Sequence, residues 1–272
     1  MPAKYCADFC EAFTAAHFAG LSASALMVDV GAAYGWEALI ARRHGNPVLS
    51  FECRHDEYER IRHFQKRLND SEWVVEHGCL SNVSGTGTLW RAHHSSSLTA
   101  SNVMHGREKM LSARELNKTE TIPLIRLDSF LSNGAWPVVG YLKVDTQGHE
   151  EQVLRGALET IRRDRPIVNY EDQFTHPSLK RGGLLNQMLG GDVQYTCQTQ
   201  GADLLCLPDM PKYELRRRDR EVIAQNMRCK HGERAPVLAS AKYDCRWETV
   251  AAAAVASSFG RSLQSMVRRI AE

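Results

Sequence analysis

Leu26-Met27-Val28-Asp29-Val30-Gly31-Ala32-Ala33-Tyr34-Gly35 decides how this chain is read. The first five residues form a compact apolar strand, Gly31 interrupts it, and Trp36 to His44 continues as a helix closed by Gly45. A strand that passes through a glycine loop into a helix brings backbone close to a ligand near a helix N-terminus. The spacing is G-x-x-x-G, whereas a dinucleotide fingerprint needs glycine where Ala33 stands. No Gly-Lys-Ser/Thr follows, so the loop is not a phosphate loop either.

Working outward, Val48 to Glu52 reads as a second strand after Pro47, Asp56 to Leu68 as an amphipathic helix, and Trp73 to Glu76 as a third strand. Ser81 to Glu120 is polar and without period, so an irregular insertion over 81–121 is expected to act as a candidate lid, with His93, His94 and Ser95 to Ser97 over an acceptor. Order resumes with Ile122 to Leu127 and the strand Val138 to Asp145. A helix from His149 to Ile161 and a strand from Pro166 to Tyr170, ending at Glu171, come next. After a leucine-containing helix near Leu179 to Leu189, Val193 to Gln198 and Asp203 to Leu207 flank a Gln200-Gly201 turn. The fold class is α/β, a mostly parallel sheet that finishes with a C-terminal antiparallel hairpin.

Glu52 ends the second strand twenty-one positions after Gly31, where a carboxylate can accept hydrogen bonds from ribose hydroxyls. Nicotinamide and S-adenosylmethionine sites both use such an acid. Asp29, two residues before the glycine, and the absent middle glycine separate them in favour of S-adenosylmethionine. Tyr141-Leu142-Lys143-Val144-Asp145-Thr146-Gln147-Gly148-His149-Glu150 delivers Asp145 to the carboxyl edge of the sheet, where open α/β folds bind ligands. Glu150 reads as a helix-dipole partner.

The glycine-loop strand, Ser50-Phe51-Glu52, Cys79-Leu80-Ser81-Asn82, Leu127-Asp128-Ser129-Phe130-Leu131 and Lys143 to Glu150 together resemble the FkbM-type S-adenosylmethionine-dependent methyltransferases, from about Met27 to Pro208. The resemblance implies a doubly wound, Rossmann-like methyltransferase sheet and methyl transfer to a hydroxyl of a small molecule or sugar. By position it implies that Gly31, Tyr34 and Gly35 line the cofactor beside Asp29, that Glu52 holds the ribose, that Leu80 and Ser81 approach the adenine, and that Asp145 faces the methionine end. The chain departs from the family pattern at Ala33, where asparagine is frequent, Cys53 (proline), Asn82 (aspartate) and Gln147 (glutamate).

An alcohol acceptor must lose its proton, and a positioned base is worth about 10²–10⁴-fold. His149 and Glu171 are the candidates, with Asp145 a third. Two other readings compete: a nicotinamide-dependent oxidoreductase on a similar sheet, and a non-catalytic interaction protein that retains the fold.

Composition bounds these readings. The 272 residues, 43% hydrophobic and 24% charged, exclude a disordered or collagen-like chain. No run approaches the ~20 apolar residues of a membrane-spanning helix. Asp8 and Glu11 interrupt any export signal, while Tyr5, Phe9 and Phe13 suggest an N-terminal helix within 1–25; the expected location is cytoplasmic. The eight cysteines are then expected as thiols rather than a disulfide framework, and their spacing to histidine predicts no metal site. The formal charge of +2 conceals a split. Before Lys212, 21 basic residues face 25 acidic ones; from Lys212 on, 13 face 7. The expectation is a domain over 26–211, a methyltransferase domain by the resemblance, followed by a basic extension over 212–272. Its stripe of Val255, Phe259, Leu263, Met266, Val267 and Ile270 is expected to pack on the parent domain or a second copy. Interleaved acids argue against nucleic acid as partner.

Overall fold

Strand β1 (Leu26–Val30) is buried along its whole length, as a central parallel strand covered on both faces must be. The computed structural model describes residues 21–91, 96–98, 119–171, 183–200 and 203–209. On one side β1 pairs with β2 (Val48–Glu52), which pairs with β3 (Trp73–His77). On the other it pairs with β8 (Val139–Val144), which pairs with β9 (Ile167–Glu171), and all these pairings are parallel. The last two strands, β10 (Tyr195–Gln200) and β11 (Asp203–Pro208), form the expected hairpin, with β11 antiparallel to both β9 and β10. The resulting order is β10-β11-β9-β8-β1-β2-β3.

The helices are α1 (Trp36–Arg43), α2 (His55–Leu68), α3 (Leu127–Ser132), α4 (Glu150–Gly156), α5 (Leu158–Asp164) and α6 (Gly183–Leu189). Strand alternation sends Leu26, Val28 and Val30 into one core with Leu127, Val153, Leu154, Ile161 and Leu185 of α3 to α6. Met27 and Asp29 face the other layer, where α1 and α2 lie against β1, β2 and β3. Helices on both faces make this a doubly wound α/β sheet.

The helix predicted over 149–161 is broken at Ala157 (φ −112°, ψ 4°) into α4 and α5. Two contacts explain the break. Gly156 passes so close to the chain after β4 (Cys79–Leu80) that a Cβ would run into the Ser81 carbonyl oxygen. The first turn of α5 is then capped from a distance. Asp128 accepts the Glu159 N–H at 3.2 Å, the Thr160 N–H at 2.9 Å and the Thr160 hydroxyl at 2.8 Å.

The insertion expected to be irregular over 81–121 begins and ends as paired strand. β5 (Gly85–Arg91), β6 (Ser96–Ser97) and β7 (Thr119–Ile125) join β4 in a second sheet, ordered β4-β7-β5-β6. β5 and β7 run antiparallel from Gly85 opposite Leu124 to Trp90 opposite Thr119. The sequence Gly-Thr-Gly-Thr hides this strand, because its first residues are mostly exposed and supply no apolar alternation. Arg91 ties the sheet to the start of α2 through Asp56, at 2.8 Å.

The cysteines depart from expectation. Cys53 and Cys79 form a disulfide, as do Cys197 and Cys206, which face each other across the β10–β11 hairpin. The first bridges the end of β2 to β4 and lies in the apolar cluster of Leu89, Ile122 and Leu124. The Cys53–Cys79 pairing depends on strands that meet only in the fold, whereas Cys197 and Cys206 lie on the two strands of the hairpin already expected from the sequence. Among the described residues no cluster of His, Cys, Asp and Glu could hold a metal, and no helix is long and apolar enough to cross a membrane. Residues 1–20, His93, His94, Ser95, Cys229, Cys245 and the extension 212–272 with its apolar stripe lie outside the described residues, as do Cys6 and Cys10.

Candidate active site

The strand order reverses between β1 and β8: from β1 the chain steps outward to β2 and β3, then returns to β8 and proceeds the other way. Such a switch point opens a crevice at the carboxyl ends of the strands. The loops that meet there are Gly31–Gly35 and Asp145–His149. They are pressed together. Asp145 N–H donates to the Val30 carbonyl at 3.0 Å, and a Cβ on Gly31 (φ 77°) would strike the Asp145 carbonyl oxygen. The glycine at 31 is therefore demanded by the neighbouring strand, a steric need that stands beside any approach of a ligand. Gly35 is held against the Trp73 ring and Ile61.

Glu52 locks the glycine loop from the adjacent strand. Its Oε2 accepts the Ala33 N–H and its Oε1 the Arg54 N–H, each at 2.8 Å. Burial pushes this carboxyl above the usual carboxylate range, against the pull of those two N–H groups. Each carboxylate oxygen has a second lone pair, so the group retains capacity for a pair of hydroxyls. Tyr34, 40% exposed, leaves the loop toward α2, where the Arg60 guanidinium lies 5.2 Å from its ring centre.

Beneath the loops lies a buried ion cluster. Asp29 and Lys143 are register partners on β1 and β8, with Nζ 3.5 Å from Oδ1 of Asp29 and 3.9 Å from Oδ2 of Asp145. Ser50 links the same carboxylate to Trp73, donating to Asp29 Oδ2 at 3.5 Å and accepting the indole N–H at 3.0 Å. Burial favours neutral Lys143, but Glu37, Asp29 and Asp145 outweigh it and hold the ammonium charged. Lys143 was not singled out from the sequence, yet a signal existed: a lysine and an aspartate, each inside an apolar run, need each other once buried.

Asp145, just after β8, and Glu171, at the end of the neighbouring β9, are brought together. Gln147 Nε2 donates to Asp145 Oδ1 at 2.9 Å and to Glu171 Oε2 at 3.1 Å. His149 stands apart from that pair in its bonding: its Nε2 lies 3.1 Å from the Ser81 hydroxyl, and burial pulls its pKa down to about 4. Leu80 is a core residue of the same apolar cluster as Leu127. Glu150 Oε1 accepts the Thr146 N–H and hydroxyl and the Gly148 N–H, at 2.9, 3.1 and 3.0 Å, and so staples the loop after β8. That role is more specific than the dipole complement expected for it.

The Methyltransferase FkbM domain model matches residues 29–194, which span both loops and all of these carboxylates. The chain belongs to the FkbM methyltransferase family. The matched family is one of methyltransferases and not of nicotinamide-dependent oxidoreductases. A solved structure similar to this FkbM chain is the methyltransferase FkbM from Methylobacillus flagellatus, at 16% identity over 68% of this chain and TM-score 0.45. This chain spans 44% of that one. Another is the O-methyltransferase from Bacillus cereus in complex with SAH, at 12% identity over 76% of this chain and 81% of that chain, with TM-score 0.42. Comparison with curated proteins by sequence finds no match.

Proposed function

We propose that this FkbM methyltransferase uses S-adenosylmethionine to methylate a hydroxyl of a small molecule or sugar. The observation that carries the reading is the β1–β8 switch point, with Glu52, Asp145 and Glu171 at or just after the carboxyl ends of β2, β8 and β9. The donor chemistry fits the cofactor. Glu52, already fixed by two N–H groups, would accept the ribose hydroxyls. Asp145, with 44% of its side chain exposed, would receive the ammonium of the methionine end, beside Gly31 and Gly35. When bound, the cofactor supplies an electrophilic methyl group, and the chain's task is to orient and to move a proton.

For the proton, Glu171 is the better of the two candidate bases. It lies at the end of β9 in the same hydrogen-bonded unit as Asp145, and would take the acceptor's hydroxyl proton on its carboxylate. His149, lowered to about 4, is a weak base, and its Nε2 is engaged with Ser81. Its role in this reading is to hold the Ser81 turn. The two disulfides fit an oxidising compartment better than the cytoplasm expected from the N-terminal residues.

Titration calorimetry with S-adenosylhomocysteine and with NAD tests the cofactor, with binding of the first alone expected. Binding of NAD alone would overturn it. Labelled S-adenosylmethionine offered with a panel of neutral sugars, phenols and amines tests the acceptor; label confined to amines would sink O-methylation.

A further inference from the structure

Gln147 has a backbone that does not suit it. Its φ of 56° lies in the left-handed region that glycine and asparagine adopt most readily. Two sets of bonds hold it there: Glu150 accepts the N–H groups of Thr146 and Gly148 on either side, and the Gln147 side chain is bound at both of its donors. The amide spans from Asp145, two residues back, to Glu171 on the adjacent strand, and both of its N–H donors are spent there. Asparagine would ease the backbone but is one methylene too short for that span. The other oxygen of Asp145 is turned toward Lys143 at 3.9 Å, so the carboxylate is fixed from two sides.

We propose that Gln147 is a positioning residue that clamps Asp145 and Glu171 into one unit, so that the carboxylate facing the cofactor and the carboxylate facing the acceptor hydroxyl keep a fixed separation. This rests on the methyltransferase reading above. A neutral amide joins the two acids without adding charge, so both remain hydrogen-bond acceptors on one donor group. The charged groups around the clamp are Lys143 on β8, Asp29 on β1, Glu37 on α1, Glu150 on α4 and Asp203, which pairs with Glu171 from β11. None of these replaces the amide as a bridge between the two carboxylates in the described hydrogen bonds.

The test separates a clamp from a mere turn residue. Gln147→Gly relieves the backbone and removes the bridge. It is expected to stay folded, with the relieved backbone offsetting part of the lost bonds, yet to bind S-adenosylhomocysteine about tenfold more weakly. In an Asp145→Asn background the same change is expected to add less than about twofold, because the clamp acts through Asp145. Wild-type affinity in Gln147→Gly, or losses that multiply fully in the double variant, would overturn the clamp. A second readout needs no cofactor. The side-chain ¹⁵N–¹H signals of Gln147 are expected to shift in Asp145→Asn and again in Glu171→Gln, and signals unmoved in both also overturn it. Failure of the wild-type chain to bind S-adenosylhomocysteine, with the amide shifts present, would overturn the cofactor reading and the clamp's role in it while keeping the bridge itself.

Discussion

Lys143 and Asp29 face each other across the seam of β1 and β8, with the ammonium 3.5 Å from a carboxylate that has no exposure to solvent. Removing one partner of such a pair strands the other. Asp29→Ala is expected to cost about 3–5 kcal/mol in chemical denaturation, whereas Asp29→Leu combined with Lys143→Met should be far milder. A double variant as unstable as the single would show that the cluster's stability does not come from that pairing.

Asp128 caps α5 from outside the helix. Asp128→Ala should cost about 1–2 kcal/mol. Asp128→Asn should recover part of this, since its amide oxygen can still accept the Thr160 N–H. Urea melts of the two variants, compared with Thr160→Val, measure how much the hydroxyl adds.

Gly31 and Gly156 each sit against a carbonyl oxygen, of Asp145 and Ser81, while Gly183 at the start of α6 has no neighbour within 4 Å of an added Cβ among the described residues. Gly31→Ala and Gly156→Ala are expected to destabilise by about 3 kcal/mol or more, since backbone must move. Gly183→Ala should be neutral or stabilising by about 0.5 kcal/mol. Melting temperatures of the three decide whether backbone approach or conformational freedom dominates.

His149 makes stability depend on pH. Its folded pKa, about 4, lies below the ordinary 6.5, so the unfolded chain binds the proton first. The stability is fully present above about pH 6.5 and is lost as pH falls toward 4. With partial solvent access the loss should be about 2 kcal/mol. Wild-type and His149→Asn melts from pH 7.5 to 4.5 should diverge on the acid side; parallel curves would assign the pH dependence elsewhere.

Reducing the disulfides should lower the melting temperature. The Cys53–Cys79 bridge closes 26 residues and the Cys197–Cys206 bridge 9, so chain entropy assigns about 3 kcal/mol to each, with more to the first. Paired serine variants at each bridge, melted without reductant, test that order.

Much of the sheet was legible because β1, β2, β8 and β9 are apolar runs that end at a glycine or an acid, and fully buried strands leave that trace. The Glu52, Asp145 and Glu171 positions followed, being strand ends. What was hidden depends on contacts between distant segments. Asp128 capping α5, Lys143 beneath Asp29, Gln147 reaching Glu171 and the Cys53–Cys79 pair have no local pattern. β5 was missed for a different reason: its exposed Gly-Thr repeat carries no apolar alternation, and its strand character comes from its partner Thr119–Ile125.

The insertion of β11 between β9 and β10 carries a consequence for synthesis on the ribosome. Until the segment ending at Pro208 emerges, β9 presents an open edge carrying Tyr170 and Glu171, and β10 has no neighbour to join. The half of the crevice that holds Glu171 is thus completed last. A nascent chain halted before Asp203 would display an unpaired strand beside an assembled glycine loop, a template for association with other chains.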